Sequence, residues 1–134
     1  MVKNLRSVSE RLARIPGRVH EAVDRELRVQ VEELVQAIQR AAPVSDEKSD
    51  KNPGKLRASV HAEHNPKREL GLIVKADAKD TRGHFIGKHV EHGHRQKNGD
   101  HVQARPFFFP TYRARKKRIK AALRRAAKRA FTTG

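Results

Sequence analysis

Between Val8 and Ala42 the apolar residues Val8, Leu12, Ile15, Val19, Val23, Leu27, Val31, Leu34, Val35 and Ile38 return at steps of three and four. That spacing is one face of a helix. Pro16-Gly17 interrupts it, and proline removes a backbone donor and clashes with the turn before it. The pattern therefore predicts a short helix ahead of Pro16 and a long one from about Arg18 to Arg40, spanning about 35 Å at ~1.5 Å per residue. Residues 43–55 are charged and polar with two prolines, which predicts an exposed or disordered loop and a first site of proteolysis. Leu56, Ala58 and Val60 then alternate with polar neighbours, and GLIVKADAK follows a turn at Asn65-Pro66, so both stretches read as strands of a hairpin. HFIGKHVEHGH reads as a third strand with imperfect alternation around Phe85, Ile86 and Val90, and residues 95–103 as a turn around Asn98-Gly99. From Pro110 a second helix is predicted, because proline suits a first turn, with Ile119, Leu123, Ala126, Ala127 and Ala130 as a narrow apolar stripe ending at Phe131.

Helix, strands, helix is the order of an α+β domain. We expect a long N-terminal helix, a small antiparallel sheet of three to four strands, and a basic C-terminal helix packed on the sheet. One domain covers 1–134, divided into a helical region 8–42, a loop 43–55, a sheet region 56–109 and a helix 110–131. Only 36% of the 134 residues are hydrophobic and 4% aromatic, so the core is expected to be thin and to need partners to complete its burial. The absence of cysteine excludes disulfides, a zinc ribbon and a thiol nucleophile. The first twenty residues hold no signal-peptide core, and no stretch approaches the ~20 apolar residues of a membrane span, so the protein is expected in the cytoplasm where it is made.

Charge changes this picture more than composition does. The net +16 is not spread evenly: residues 1–50 carry 9 basic and 9 acidic side chains, residues 51–100 carry 11 and 6, and residues 101–134 carry 11 and none. Arg113, Arg115, Lys116, Lys117, Arg118, Lys120, Arg124, Arg125, Lys128 and Arg129 surround the last apolar stripe. Such a helix suits a polyanion such as DNA, an acidic protein surface, or solvent. It has no aromatic stacking platform and no recognition-helix signature, so any DNA binding would be non-specific.

Other candidate chemistry is sparse. His84, His89, His92, His94 and His101 lie within eighteen residues, but on a strand His92 and His94 would point away from His89 and Glu91. No metal site and no cofactor is expected from them. No nucleophile elbow, phosphate-cradling glycine loop, HExxH helix or carboxylate pair is present, which points away from catalysis. A small metal-dependent nuclease is the nearest enzymatic reading, and it lacks a clear base and metal. Phe107, Phe108 and Phe109 sit between Pro106 and Pro110, where the backbone before proline is extended. They read either as a hinge anchoring the last helix or as part of a subunit interface.

Taken in order, the helix ending Ala41-Ala42-Pro43, the phrase Pro53-Gly54-Lys55-Leu56-Arg57-Ala58-Ser59-Val60, the phrase His89-Val90-Glu91-His92-Gly93-His94 and the phrase Ala104-Arg105-Pro106-Phe107-Phe108-Phe109-Pro110 resemble the tail-completion or head-tail joining family of long-tailed phages, prophages and gene transfer agents. The resemblance covers about residues 8–131. It implies a non-enzymatic virion protein made in the host cytoplasm and built into the neck or upper tail. There it would form a ring, expected to be a hexamer, around the DNA path, against neighbouring connector and tail proteins, with non-specific contact to packaged DNA. It further implies assembly roles for Leu56, Arg57, Glu91, Gly93, Arg105, Phe107, Phe108 and Phe109: Leu56 and Val60 inside the sheet, Gly93 in a tight turn, Arg105 paired with Glu91, and the phenylalanines pinning the last helix or a neighbour. The alternative is a free-standing, non-specific DNA-binding protein acting through its last helix.

Overall fold

A computed structural model describes residues 17–44, 54–68, 71–95, 99 and 101–132. The short helix expected before Pro16 and most of the expected loop 43–55 lie outside them. The long periodic stretch forms helix α1, Gly17–Ala41. Val19, Val31, Leu34, Val35, Ala37 and Ile38 are its buried residues, and all but Ala37 belong to the apolar stripe read from the sequence. The second predicted helix runs from Phe109 to Thr132. It is the last of four described helices and is called α4. It lies along α1, with Ala122 and Ala126 buried where small side chains let two helices approach. Arg18, Ala22 and Arg25 share a groove with Ala126, Arg129 and Ala130, whereas Val35 and Ile38 share the core with Phe107 and Ile119. The two helices are therefore antiparallel.

Two short elements differ from the strands expected of them. Residues Lys55–Ser59 form one helical turn, α2, and strand β1 starts only at Val60, running Val60–His64. Gly54 begins the turn in the left-handed region at φ 83, and the Ala58 amide donates to its carbonyl. Leu56 and Val60 are buried while Ala58 is exposed. The working period is four rather than two, which five residues could not reveal. Residues Ile86–His92 likewise form a helix, α3. Ile86 and Val90 pack against the core, and Gly87 and Glu91 are buried, two pairs at a spacing of four that explain the imperfect alternation. Gly87 lets α3 sit close to the hairpin, since a Cβ there would lie 3.2 Å from the Ala76 carbonyl oxygen.

β1 pairs antiparallel with β2, Leu72–Ala76, from Val60 opposite Ala76 to His64 opposite Leu72. Leu72, Val74 and Ala76 face inward. β3, His94–Arg95, pairs with β4, His101–Val102, in the stretch expected to be a loop. Among the described residues the strands thus form two separate two-stranded ladders rather than one sheet of three or four. The core lies where the C-terminal half of α1, α2, β1 and Phe107 meet. Ile38 and Phe107 are its most deeply buried large side chains. Gln39 ties α1 to the hairpin through a 3.2 Å bond from Nε2 to the Val60 carbonyl. Arg57 Nη2 donates to the Ala42 carbonyl at 3.0 Å, capping the end of α1.

Ile38 is 0% exposed, so Ile38→Ala should cost about 2–5 kcal/mol through lost burial and a cavity. Urea unfolding checks this; a loss well under 1 kcal/mol would place the core elsewhere.

Candidate assembly interface around the Glu91 clamp

Glu91 is the one buried charged residue among those described. It lies near the end of α3, and its carboxylate accepts from the first amides of α4 and the approach to it. Phe107 N–H donates to Oε2 at 2.9 Å, Phe108 N–H to Oε2 at 3.0 Å and Phe109 N–H to Oε1 at 3.1 Å. A helix N-terminus leaves such donors unpaired and carries partial positive charge, so a carboxylate there satisfies both. Burial pushes the Glu91 carboxyl up, but the amides of Phe108, Phe107 and Phe109 together outweigh that and hold it below its ordinary 4.5.

The expected ion pair between Glu91 and Arg105 does not form. Arg105 is exposed, no ion pair joins the two residues, and the contribution of Arg105 is a backbone N–H donated to the Val90 carbonyl at 2.7 Å. The amides already supply the charge compensation that a guanidinium would have brought. Gly93 caps α3 at φ +75, and it is needed for a close backbone approach: a Cβ would lie 2.7 Å from the Val102 carbonyl oxygen and 2.9 Å from the Ala104 nitrogen. Glu91, Gly93, Arg105 and Phe107 are thus brought together, through main-chain contacts that side-chain spacing does not encode.

The three phenylalanines step from core to surface. Phe107 is 2% exposed, Phe108 is partly buried, and Phe109 is 49% exposed. Successive rings meet edge to face, with centroids 6.2 Å and then 5.4 Å apart. Thr111 Oγ1 donates to the Phe107 carbonyl at 2.6 Å, fixing the first turn of α4. Phe107 anchors the helix in the core, and Phe109 stands half exposed. Phe109 and Phe108, with Phe85, Val74, Ala76 and Lys88, line a cleft of about 660 Å³. Phe85 is 48% exposed and lies under the Lys79 ammonium, 5.1 Å from Nζ to its ring centroid. Leu56 is buried in the core and Arg57 caps α1, and neither lines the cleft.

The described histidines of the 84–101 cluster do not converge on a ligand set; His84 and His89 stack at 6.0 Å in a tilted pair. A trio that sequence reading missed does converge. Ligand atoms of His61, Glu63 and Asp77 lie within 4.8 Å of one another. Hairpin register assembles it, with Lys75 directly opposite His61. The Lys75 ammonium bonds Glu63 at 2.9 Å and His61 Nε2 lies 2.9 Å from the same carboxylate, and these two hold Glu63 below its ordinary value, Lys75 first. The hydrogen bond to the Ser59 carbonyl, then Glu63, raises His61. The carboxylate already has its cations, so the trio reads as a surface ion-pair network.

Residues 6–93 match the family described as "Bacteriophage HK97-gp10, putative tail-component", and the chain belongs to that family. Glu91 and Gly93 fall inside the matched stretch; Arg105, the phenylalanines and α4 fall beyond it. No curated protein and no solved structure matches the chain. The class is thus a phage tail component, and no helix among the described residues is long and apolar enough to cross a membrane.

Glu91→Gln should lose about 1.5–3 kcal/mol, because the amide keeps one acceptor oxygen: at most two of the three N–H bonds survive, as neutral ones, and the new NH2 faces a backbone donor left without its acceptor. The folded carboxyl binds its proton less readily than the unfolded one. Its stabilisation is therefore full above 4.5 and is lost as pH falls through the lowered folded value. Urea unfolding across that acid range should narrow the gap between wild type and variant; a constant gap would remove Glu91 as the acid-sensitive group. Gly93→Ala should destabilise by about 2 kcal/mol or more through positive φ and backbone collision, and unchanged thermal unfolding would contradict the close approach described.

Proposed function

We propose that this protein is a non-enzymatic structural subunit of a phage or phage-like particle that completes the tail and joins it to the head. In this reading it acts as one member of a ring around the DNA path, most simply a hexamer, alongside connector and tail proteins. It is made in the host cytoplasm and resides in the neck or upper tail of the particle. Membership of a tail-component family supports the structural role. The observation that carries the joining role is the aromatic cleft: Phe85 and Phe109 line it half exposed, while the Glu91 clamp fixes the backbone at Phe109. Exposed aromatics on a fixed frame are what subunit interfaces bury. A head-to-tail contact that closes by rotation would repeat this burial around a ring.

Electron microscopy of particles from a strain lacking the gene should show filled heads beside unattached tails. Phe109→Asp supplied in trans should fold normally and fail to restore joined particles, whereas the wild-type gene restores them. Normal joined particles in the deletion strain would overturn the joining role, and full rescue by Phe109→Asp would remove the cleft from it.

A further inference from the structure

We infer that the solvent face of α4 is a binding surface for the phosphate backbone of duplex DNA. Ala122 and Ala126 are the buried residues of this helix, and the opposite side of the helical circle carries Arg113, Lys117, Lys120, Arg124 and Lys128 at steps of four, three, four and four. All five are exposed. At ~1.5 Å per residue the stripe is about 22 Å long, a length over which a duplex presents on the order of a dozen phosphates.

The fold itself does not use these cations. α4 contains no acidic residue, so no cation has an i,i+4 partner. Among the described residues no ion pair or side-chain hydrogen bond engages any of the five. Nor do they serve the helix dipole, which would favour cations only in the last turn; there the basic residue is Arg129, outside the stripe. The acidic residues of α1 do not neutralise them, and Asp24 is spent on Arg28 of its own helix at 3.0 Å. A line of uncompensated charge on a rigid helix is complementary to a regular polyanion. The stripe holds only lysine and arginine and no aromatic, so contact is with phosphate rather than with bases.

Fluorescence anisotropy of the full chain with two unrelated 20-base-pair duplexes tests this. Binding to both with equal affinity is expected, weakening roughly 500-fold between 50 and 200 mM salt, as about five phosphate contacts require. A variant carrying Lys117→Gln, Lys120→Gln, Arg124→Gln and Lys128→Gln should keep its helical circular dichroism, since these side chains pack on nothing. Its log–log salt slope should fall by about three to four. Arg118→Gln with Arg125→Gln, on the flank, should reduce the slope by less. No duplex binding at 50 mM salt, or an unchanged slope in the four-site variant, overturns the inference. So does polyglutamate of equal charge competing as well as duplex does, which would assign the face to an acidic protein.

Discussion

Burying an ionised carboxylate is costly unless its charge is met by donors held in place. Glu91 meets that condition with three main-chain amides, each at or below 3.1 Å. The contact joins the end of α3 to the start of α4 and fixes where that helix begins. Phe107 is set into the core beside Ile38 and Leu56, and α4 leaves at the angle that lays Ala122 and Ala126 on α1. A carboxylate at a helix N-terminus stabilises that end electrostatically as well as by hydrogen bonding. This matters unusually in a helix so loaded with like charge, because α4 receives little help from its own side chains.

The rest of the structure divides into regions of unequal strength. Around α2, β1 and Phe107 the packing is apolar and closed. Along the distal half of the helix pair, α4 contributes buried alanines, which bury little area per residue. The hairpin is similar: of β1, only Val60 is buried, and the strand runs out among exposed residues. Such a subunit is rigid at its centre and thinly supported at its ends. That is consistent with the low hydrophobic content and with a chain that completes its burial on assembly.

The two long helices were legible because many apolar positions at helical spacing leave one period to choose. The short elements were not. Five residues at 55–59 and seven at 86–92 fit alternation nearly as well as a helical turn, and the choice is made by Gly54 at one end and by packing of Gly87 on Ala76 at the other. The residues that converge near the site were also legible as phrases, since Glu91, Gly93, Arg105 and Phe107 were all singled out. Their relations were not, because the partners of Glu91 are backbone amides, which every residue but proline possesses and which leave no mark in the sequence. The pairing with Arg105 that the resemblance implies does not form, because a helix end already does the compensating. The trio His61, Glu63 and Asp77 was invisible for a different reason: it needs the register of the hairpin.

The aromatic cleft and the cationic stripe fit one subunit because they occupy different parts of α4. The cleft involves its first residue, Phe109, and the elements before it, while the stripe starts at Arg113 and runs away along the face turned from α1. A neighbour seated in the cleft would therefore leave the stripe uncovered, and a polyanion along the stripe would not compete with the neighbour. Each would help the other indirectly. Repeating the subunit around a closed ring multiplies the positive field, which raises the cost of assembly through like-charge repulsion. A duplex within reach of those stripes would offset that repulsion. In the proposed ring, occupancy of the DNA path and cohesion of the subunits are thus thermodynamically linked through α4, and the Glu91 clamp fixes where that helix begins.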